Sequence, residues 1–352
     1  MRAIGSSRRE FLRGSAAAAA YSFVLVRRRQ AATSTPQAAP PAQGGSLERR
    51  RFGKTDMTVA VLGFGGSEIG QEKAEPEVVS KLLNGALDAG LNVIDTAECY
   101  DDSEVLIANA IGHRRKDYFL FTKVGHYVEP PKHGIDWSKP GILRSIERSL
   151  KRLKTDAVDL VNLHSCSLDE LEKGECIEAL EQAKKEGKTR YIGYSGDSRA
   201  ARYAVECGRF DALQTSCNLF DQECVELTLP LAQEKRMGVI TKRPIGNAVW
   251  RYDQEPENDY HKEYWRRMQE LQFDFLSGDA RKKEGPDGPA GVALRFTAMQ
   301  PGVSVLIVGT TKPGRWNQNA DLVKAGPLPK ETAEAIRARW KSVAKKGWVG
   351  QG

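Results

Sequence analysis

The chain has 352 residues, of which 40% are hydrophobic, and its mean hydropathy is −0.49, so it can bury a large core but is not a polytopic membrane protein. The formal net charge of +7 would suit a nucleic-acid-binding protein, but the first 45 residues hold seven arginines and one acidic residue, which leaves 46 basic and 45 acidic residues in the rest. A nearly neutral body cannot neutralise many phosphates, so the composition argues against a nucleic-acid partner.

The N-terminal segment has the features of an export signal. Residues 7–13 read Ser-Arg-Arg-Glu-Phe-Leu-Arg, and the apolar run Ala16–Val26 that follows is too short to span a bilayer comfortably. The motif resembles the twin-arginine translocation signal, and the arginines after the run would hinder the general secretory route. A basic amphipathic arm is the alternative.

From this segment we predict a signal at residues 1–30 and a transient contact with the twin-arginine translocase. The expected location is periplasmic or extracellular in a bacterium, or cytoplasmic if the leader does not function. Residues 31–46 are rich in Ala, Pro, Gln and Gly, which predicts a disordered linker.

From residue 47 to residue 352, short apolar runs alternate with helical patterns. Each run has the length of a buried parallel strand. The predicted strands are Val59–Gly63, Asn92–Asp95, Tyr118–Val124, Ala157–His164, Arg190–Ser195, Ala212–Cys217, Gly238–Lys242 and Ser304–Gly309. The predicted helices are Glu75–Ala89, Gly141–Leu153, Leu168–Lys185, Arg199–Cys207, Glu223–Lys235, Pro289–Met299 and Arg315–Lys324. Eight βα units in about 300 residues predict one α/β domain, a closed (β/α)8 TIM barrel at residues 47–352.

Two connections are longer than the others. One is His126–Pro140, and the other joins Lys242 to Ser304 and contains an extra helix near Tyr260–Phe275. Long loops at the carboxyl ends of barrel strands commonly shape the substrate pocket. The first strand is not followed by the spacing G-x-G-x-x-G, so the usual dinucleotide fingerprint of an open α/β sheet is missing.

Polar side chains end several of the apolar strands, where a barrel keeps its active site. They are Asp95, Lys123, His164, Ser195, Gln214, Lys242 and Thr310, and Tyr100 follows Asp95 in its loop. An ammonium such as Lys123 lowers the pKa of a neighbouring phenol, so we expect Tyr100 to be a better acid than free tyrosine. Asp95 would hold Lys123 in place, and His164 would orient a carbonyl oxygen by a hydrogen bond. The protein has no hydride of its own to give, so a cofactor must supply it.

These segments resemble the aldo-keto reductase family. Asn92-Val-Ile-Asp-Thr-Ala-Glu-Cys-Tyr100 is similar to the signature around its catalytic Asp and Tyr, Phe121-Thr-Lys-Val124 to the segment with its Lys, and Asp159-Leu-Val-Asn-Leu-His164 to that with its His. Arg49-Arg-Arg-Phe-Gly-Lys-Thr55 resembles the start of the family domain. The resemblance implies reversible interconversion of a small-molecule carbonyl and an alcohol with NADP(H), with Tyr100 as general acid.

The resemblance also implies where the cofactor binds. Ser195 and Gln214 match the residues beside the nicotinamide carboxamide, although Gly196 replaces the usual Asn and Lys242 stands where a stacking Tyr is common. Arg243 could reach the pyrophosphate. The segment after the last strand is similar to the adenosine-phosphate loop of the family, with contacts expected from Thr310, Lys312, Arg315, Gln318 and Asn319. An arginine at this place favours NADP over NAD.

Two other functions compete with the reductase. The chain could be a nucleotide-binding sensor or interaction module that keeps the barrel, as potassium-channel β-subunits suggest, or another barrel enzyme such as a lyase or metal-dependent aldolase. The complete set Asp95, Tyr100, Lys123 and His164 argues against a sensor. The histidines and six cysteines show no metal-ligand spacing, so no metal site is predicted, and the cysteines are expected to be mostly buried free thiols.

Overall fold

The computed structural model of the protein describes residues 46–129 and 132–351. The predicted signal at 1–30 lies outside these residues, and so does all of the predicted linker at 31–46 except its last residue. Among the described residues, no helix combines the length and the hydrophobicity that a bilayer crossing requires.

The strands and helices of the described residues alternate along the chain. The strands are β1 Arg49–Arg51, β2 Thr58–Ala60, β3 Leu62–Gly65, β4 Val93–Asp95, β5 Phe119–Val124, β6 His126–Glu129, β7 Lys132–Ile135, β8 Val158–His164, β9 Thr189–Ser195, β10 Ala212–Ser216, β11 Gly238–Lys242 and β12 Val305–Val308. The α-helices are α1 Ser67–Gln71, α2 Pro76–Asp88, α3 Ser103–Ile111, α4 Lys139–Leu153, α5 Leu168–Lys173, α6 Glu175–Lys185, α7 Ser198–Glu206, α8 Glu223–Leu227, α9 Leu229–Glu234, α10 Asp259–Leu271, α11 Pro289–Ala298, α12 Arg315–Lys324 and α13 Lys330–Val343. Short 3-10 helices cover Gly112–Asp117, Gly246–Arg251, Asp274–Leu276 and Gly278–Lys282.

Eight parallel strands close into a barrel, which confirms the predicted fold. Its strands are β3, β4, β5, β8, β9, β10, β11 and β12, each hydrogen-bonded to the next in chain order, and β12 closes the ring on β3. Nearly every residue of these strands is buried, because side chains fill the barrel on one face and contact the surrounding helices on the other. The carboxyl ends of all eight strands therefore meet at one mouth.

The predicted bounds of the first strand, Val59–Gly63, are wrong. The apolar run divides into β2, which pairs antiparallel with β1, and β3, which belongs to the barrel. The Asn92 side chain causes the break, since it accepts a hydrogen bond from the backbone of Ala60 at 2.7 Å and donates one to Thr58 at 2.9 Å. These contacts take the place of strand pairing before β3 begins.

The β1–β2 hairpin closes the end of the barrel opposite the mouth. Phe52 and Met57 lie between its strands and pack against Phe121 and Ile240 inside the barrel. Lys54 donates a backbone hydrogen bond to the segment just before β11. The interior is thus covered at its amino-terminal end.

Two predicted helices are each divided in the structure. Leu168–Lys185 breaks at Gly174, which has a φ of +84° and ends α5 before α6 begins. Glu223–Lys235 breaks at Thr228, because Pro230 has no N–H with which to continue the helical hydrogen bonds.

The two long connections contain more structure than the sequence predicts. His126–Pro140, expected as a loop, holds the β6–β7 hairpin and the start of α4. The extra helix expected near Tyr260–Phe275 is α10, which packs with α13, a helix the sequence reading did not identify. Trp340 and Trp348 join Met268 and Leu271 in this second apolar cluster.

Candidate active site

A buried ion pair lies at the centre of the barrel mouth. Lys123, in β5, donates to the Oδ2 atom of Asp95 at 2.5 Å and to the backbone oxygen of Thr96 at 2.9 Å. Both charged side chains are only 1% exposed. The Asp95 carboxylate outweighs the opposing effect of burial and raises the pKa of Lys123, so the ammonium stays charged.

Tyr100 lies next to this pair, in the loop after β4. Its hydroxyl group is 3.3 Å from Lys123 Nζ, which also lies 4.7 Å from the centre of the phenol ring. Burial raises the pKa of Tyr100 to about 12, while Lys123 acts in the opposite direction. Lys123 thus lowers the pKa of Tyr100 as expected, but burial raises it by more. The pKa of Tyr100 is therefore higher than that of free tyrosine, not lower as the sequence predicts.

His164, at the end of β8, completes the predicted group of four. Its ring is edge-on to Tyr100 with the ring centroids 5.6 Å apart. Burial, helped by the positive charge of Lys123, holds the pKa of His164 well below its usual value, so the imidazole is neutral. Cys99 Sγ is 3.3 Å from His164 Nδ1, and burial raises the pKa of Cys99 to about 11, so this group is a thiol. In the tautomer that accepts the Cys99 thiol at Nδ1, the ring proton lies on Nε2, where it can be donated to a ligand.

Ser195 and Gln214 are joined to the same group by hydrogen bonds. Ser195 Oγ donates to Gln214 Oε1 at 2.7 Å, and Gln214 Nε2 donates to Asp95 Oδ1 at 2.9 Å. Neighbouring strands β9 and β10 bring these residues into register. A continuous chain of hydrogen bonds thus runs from Ser195 to Tyr100.

Lys242 and Arg243 lie at the end of β11. Lys242 forms an ion pair with Asp197 at 3.0 Å, and burial lowers the pKa of Lys242 against the opposing effect of Asp197. Arg243 donates to Ser216 Oγ at 3.3 Å and lies 4.8 Å from the ring centre of Tyr260. Both cations are therefore held near the mouth by their own protein partners.

The remaining predicted residues follow β12. Thr310 Oγ1 accepts the backbone N–H of Lys312 at 3.1 Å, which shapes the turn into α12. Lys312, Arg315 and Gln318 are exposed, whereas Asn319 is buried. Gly314 precedes α12 and has no side chain to cap it. The first N–H of this helix, that of Arg315, donates to the backbone oxygen of Lys312 at 3.1 Å, and the N–H groups that follow it have no side-chain cap and lie beside two exposed cations, an arrangement that favours an anion.

Sequence reasoning missed the groups that hold the Tyr100 loop. The carboxylate of Glu98 is fully buried and accepts hydrogen bonds from Ser145 and, at 2.5 Å, from Arg148, both on α4. Arg152 donates to the backbone oxygen of Glu98 at 3.0 Å. The sequence does contain an indication of this role, because Glu98 is a charged residue inside an apolar segment next to Tyr100.

Two further residues near the mouth were not predicted. His126 and Trp137, from the long connection after β5, have ring centroids 5.4 Å apart, and His126 is 5.6 Å from the ring of His164. They form an aromatic wall beside His164. In the described part of the chain, no cluster of three or more His, Cys, Asp and Glu side chains could hold a metal ion.

Comparison with known proteins agrees with this geometry. The sequence model of the Aldo/keto reductase family matches residues 61–341. The uncharacterized oxidoreductase YqkF of Bacillus subtilis (strain 168) is 29% identical over 305 residues, which cover 84% of this chain and 97% of that protein.

Two solved structures share the fold over most of the chain. The holo form of the aldo-keto reductase AKR11C1 from Bacillus halodurans superposes with a TM-score of 0.70 at 26% identity, covering 86% of this chain and 99% of that one. An aldo/keto reductase from Klebsiella pneumoniae in complex with NADP and acetate has a TM-score of 0.64 at 25% identity, covering 83% and 95% respectively.

Proposed function

The chain belongs to the aldo/keto reductase family of oxidoreductases, and from that premise we propose that it interconverts a small carbonyl compound and an alcohol with NADP(H). The single observation that carries the proposal is the buried contact of Lys123 with both Asp95 and Tyr100, beside a neutral His164. A barrel that only sensed a nucleotide would have no need of this arrangement. When bound, the reduced nicotinamide supplies the hydride.

Each of the four residues has a distinct task in the proposed reduction. His164 donates a hydrogen bond from Nε2 to the carbonyl oxygen and orients it. The Tyr100 hydroxyl then transfers its proton to that oxygen as negative charge develops there. Lys123 stabilises the phenolate that remains, and Asp95 keeps Lys123 in position. In the alcohol-oxidising direction the same phenolate takes the proton back.

The donor groups at the mouth fit a dinucleotide phosphate. Lys312 and Arg315 are exposed cations at the start of α12, and the uncapped N–H groups of that helix favour an anion. We assign the 2′-phosphate to Arg315 and Thr310, with help from Lys312. The bound NADP in the Klebsiella pneumoniae relative supports the choice of NADP(H) over NAD(H).

The nicotinamide end would be bound by Ser195 and Gln214. Their side chains can turn from each other toward a carboxamide, which offers both a donor and an acceptor. Lys242 and Arg243 add positive charge near the end of β11, where we place the pyrophosphate. Gln318 and Asn319 are assigned to the adenine side, of which Gln318 is the exposed member.

Replacing Tyr100 with Phe tests the proposal directly. The change removes the proton donor but keeps the ring, so we expect kcat to fall by roughly 10²–10⁴-fold, while NADPH binding and the thermal midpoint stay close to those of the unchanged protein. The measurement is NADPH oxidation with a panel of aldehydes and ketones, together with a fluorescence titration of NADPH.

The matched control is Tyr203→Phe, which removes a hydroxyl group from α7, outside the mouth. Turnover in Tyr100→Phe above roughly a tenth of the unchanged protein would overturn the role of Tyr100. NADPH binding without turnover of any carbonyl by the unchanged protein would favour a sensor instead.

A further inference from the structure

Two cysteines lie together where the loop that follows β8 contacts α6. Cys166 Sγ and Cys176 Sγ are 3.8 Å apart, and both residues are only 1% exposed. Cys166 comes two residues after His164, whereas Cys176 lies in the first turn of α6. Sulfur atoms this close need only a small movement to bond, since a disulfide brings them to about 2.05 Å.

The two thiols differ in their surroundings. The hydrogen bond from Cys166 and the backbone N–H groups at the start of α6 lower the pKa of Cys176, although burial opposes them. The same contact and burial raise the pKa of Cys166. As a thiol, Cys176 donates to the backbone oxygen of Glu170 at 3.6 Å, but its place in the first turn of α6 sets backbone N–H groups beside it that favour the thiolate. We therefore assign Cys176 as the attacking and Cys166 as the resolving cysteine.

We propose that Cys166 and Cys176 are a redox pair that a hydroperoxide oxidises to a disulfide. The Cys176 thiolate attacks one peroxide oxygen, forming a sulfenic acid and releasing hydroxide with hydrogen peroxide as the oxidant. The Cys166 sulfur then displaces the sulfenic hydroxyl group, which takes the Cys166 proton and leaves as water, while the hydroxide takes up the proton that Cys176 lost on ionising. Overall, two thiols and one hydrogen peroxide give one disulfide and two waters. Hydrogen peroxide is close to water in size, which suits sulfur atoms this deeply buried.

A disulfide at this place would fix the loop that leaves the catalytic strand. Ser165 donates a backbone hydrogen bond to Ser195 at 2.7 Å, and the Tyr194 hydroxyl donates to the backbone oxygen of Cys166 at 2.8 Å. These contacts already hold the loop to β9, and the disulfide would add a covalent link to α6. Any effect on turnover rests on the proposed function, whereas the oxidation itself does not.

A second pair of buried cysteines provides an internal comparison. The Cys217 thiol lies beside Cys224, and this contact together with burial raises the pKa of Cys224 well above its usual value. A raised pKa makes Cys224 a weak nucleophile, so the peptides of this pair serve as the comparison in the same oxidation experiment.

The test is mild oxidation of the full chain with hydrogen peroxide, followed by mass spectrometry of proteolytic peptides with and without a thiol reductant. We expect one new cross-linked species, containing Cys166 and Cys176, and a loss of about 2 Da. We also expect the thermal midpoint to rise by on the order of 5 °C and to return on reduction.

Single substitutions identify the step at which each cysteine acts. Cys166→Ser should leave a sulfenic acid at Cys176 that a dimedone probe captures, whereas Cys176→Ser should give neither adduct nor cross-link. The matched control, Cys207→Ser, should keep the cross-link. Absence of a Cys166–Cys176 peptide in the oxidised unchanged protein, or cross-linking only between Cys217 and Cys224, would overturn the proposal. These readouts need no enzymatic activity, so they are independent of the reductase assignment.

Discussion

Tyr100 carries its proton at neutral pH because desolvation raises its pKa to about 12 despite the nearby ammonium of Lys123. A protonated phenol is the form that a carbonyl reduction needs, and a phenolate is the form that alcohol oxidation needs. His164 does not titrate near neutrality, because its pKa is held well below the usual range. The two directions of the proposed reaction should therefore respond differently to pH.

We expect kcat for carbonyl reduction to be flat between about pH 6 and pH 9, since Tyr100 stays protonated throughout. In contrast, kcat for alcohol oxidation should rise by roughly tenfold per pH unit while chemistry limits the rate. Initial rates in both directions across this range check the prediction. A reduction profile that falls with a midpoint near pH 6.5 would assign the acid to a histidine instead.

Arg315 is the residue to which we assign the choice of cofactor. Replacing it with Ala should weaken NADPH binding by roughly ten- to a hundredfold, the usual worth of a charge-assisted contact, and should leave NADH binding nearly unchanged. Fluorescence titration of both cofactors measures this difference. The control is Lys330→Ala, which removes an exposed cation from α13. If Arg315→Ala weakened both cofactors equally, Arg315 would not contact the 2′-phosphate.

At the scale of secondary-structure elements, a buried carboxyl group is among the contacts that join α10 to the loop after β10. The Tyr264 hydroxyl donates to Asp221 Oδ2 at 2.9 Å, and Oδ1 of Asp221 has no hydrogen-bond partner among the described residues. Burial, with the charge of Asp197, raises the pKa of Asp221 to about 7. A protonated Asp221 is thus the form that the fold prefers.

This raised pKa predicts how stability depends on pH. Between about pH 4 and pH 7 the folded protein keeps a proton on Asp221 that the unfolded chain releases, so the free energy of unfolding should fall as the pH rises. Asp221→Asn should flatten this slope, because the amide cannot ionise. Thermal midpoints from pH 4.5 to pH 8 test this, with Asp88→Asn, on the surface of α2, as control. An unchanged slope in Asp221→Asn would contradict the prediction.

The elements that could be predicted from the sequence are those whose pattern is local. The bounds of β11 and α12 were predicted to the residue, since each is a run with clear polar or glycine limits. The first strand was misjudged because an uninterrupted apolar run gives no sign that the Asn92 side chain divides it. The break in this strand depends on a contact between residues that are far apart in the sequence.

In the candidate site, too, some features could be predicted from the sequence and others depend on contacts between distant residues. Asp95, Lys123 and His164 could be identified because each ends an apolar strand, and strand ends of a barrel meet at one place. The net pKa of Tyr100 could not be predicted, because it depends on how completely the loop is buried. The Lys242–Asp197 pair was missed for a similar reason, since Lys242 ends β11 whereas Asp197 follows β9, two strands earlier in the chain.

At the scale of the whole molecule, we propose export through the twin-arginine route, from the motif at residues 7–13. This route carries folded cargo, so the cofactor could be loaded in the cytoplasm and remain bound outside it. The missing Asn at Gly196 and the missing stacking Tyr at Lys242 would loosen the nicotinamide end. The positive charges of Arg243, Lys312 and Arg315 would instead strengthen the binding of the cofactor.

Changing Arg8 and Arg9 together to Lys should retain the protein in the cytoplasm, because twin-arginine recognition depends on the guanidinium groups. Cell fractionation measures this, with Arg27→Lys as the matched control that should still be exported. The nucleotide content of the exported protein after long dialysis tests retention. Equal distribution of the double variant and the unchanged protein would reject this route, and an exported protein free of nucleotide would reject retention.

The β1–β2 hairpin at the closed end of the barrel also indicates where the protein could be attached to a solid surface. Ser46 is exposed and lies three residues before this hairpin, at the end of the barrel opposite the mouth. A resin, an electrode or a display scaffold joined at that position would bind the molecule by its closed end. Molecules immobilised in this way would turn their catalytic openings toward the flowing solution, without the loss of accessible sites that random coupling through lysines causes.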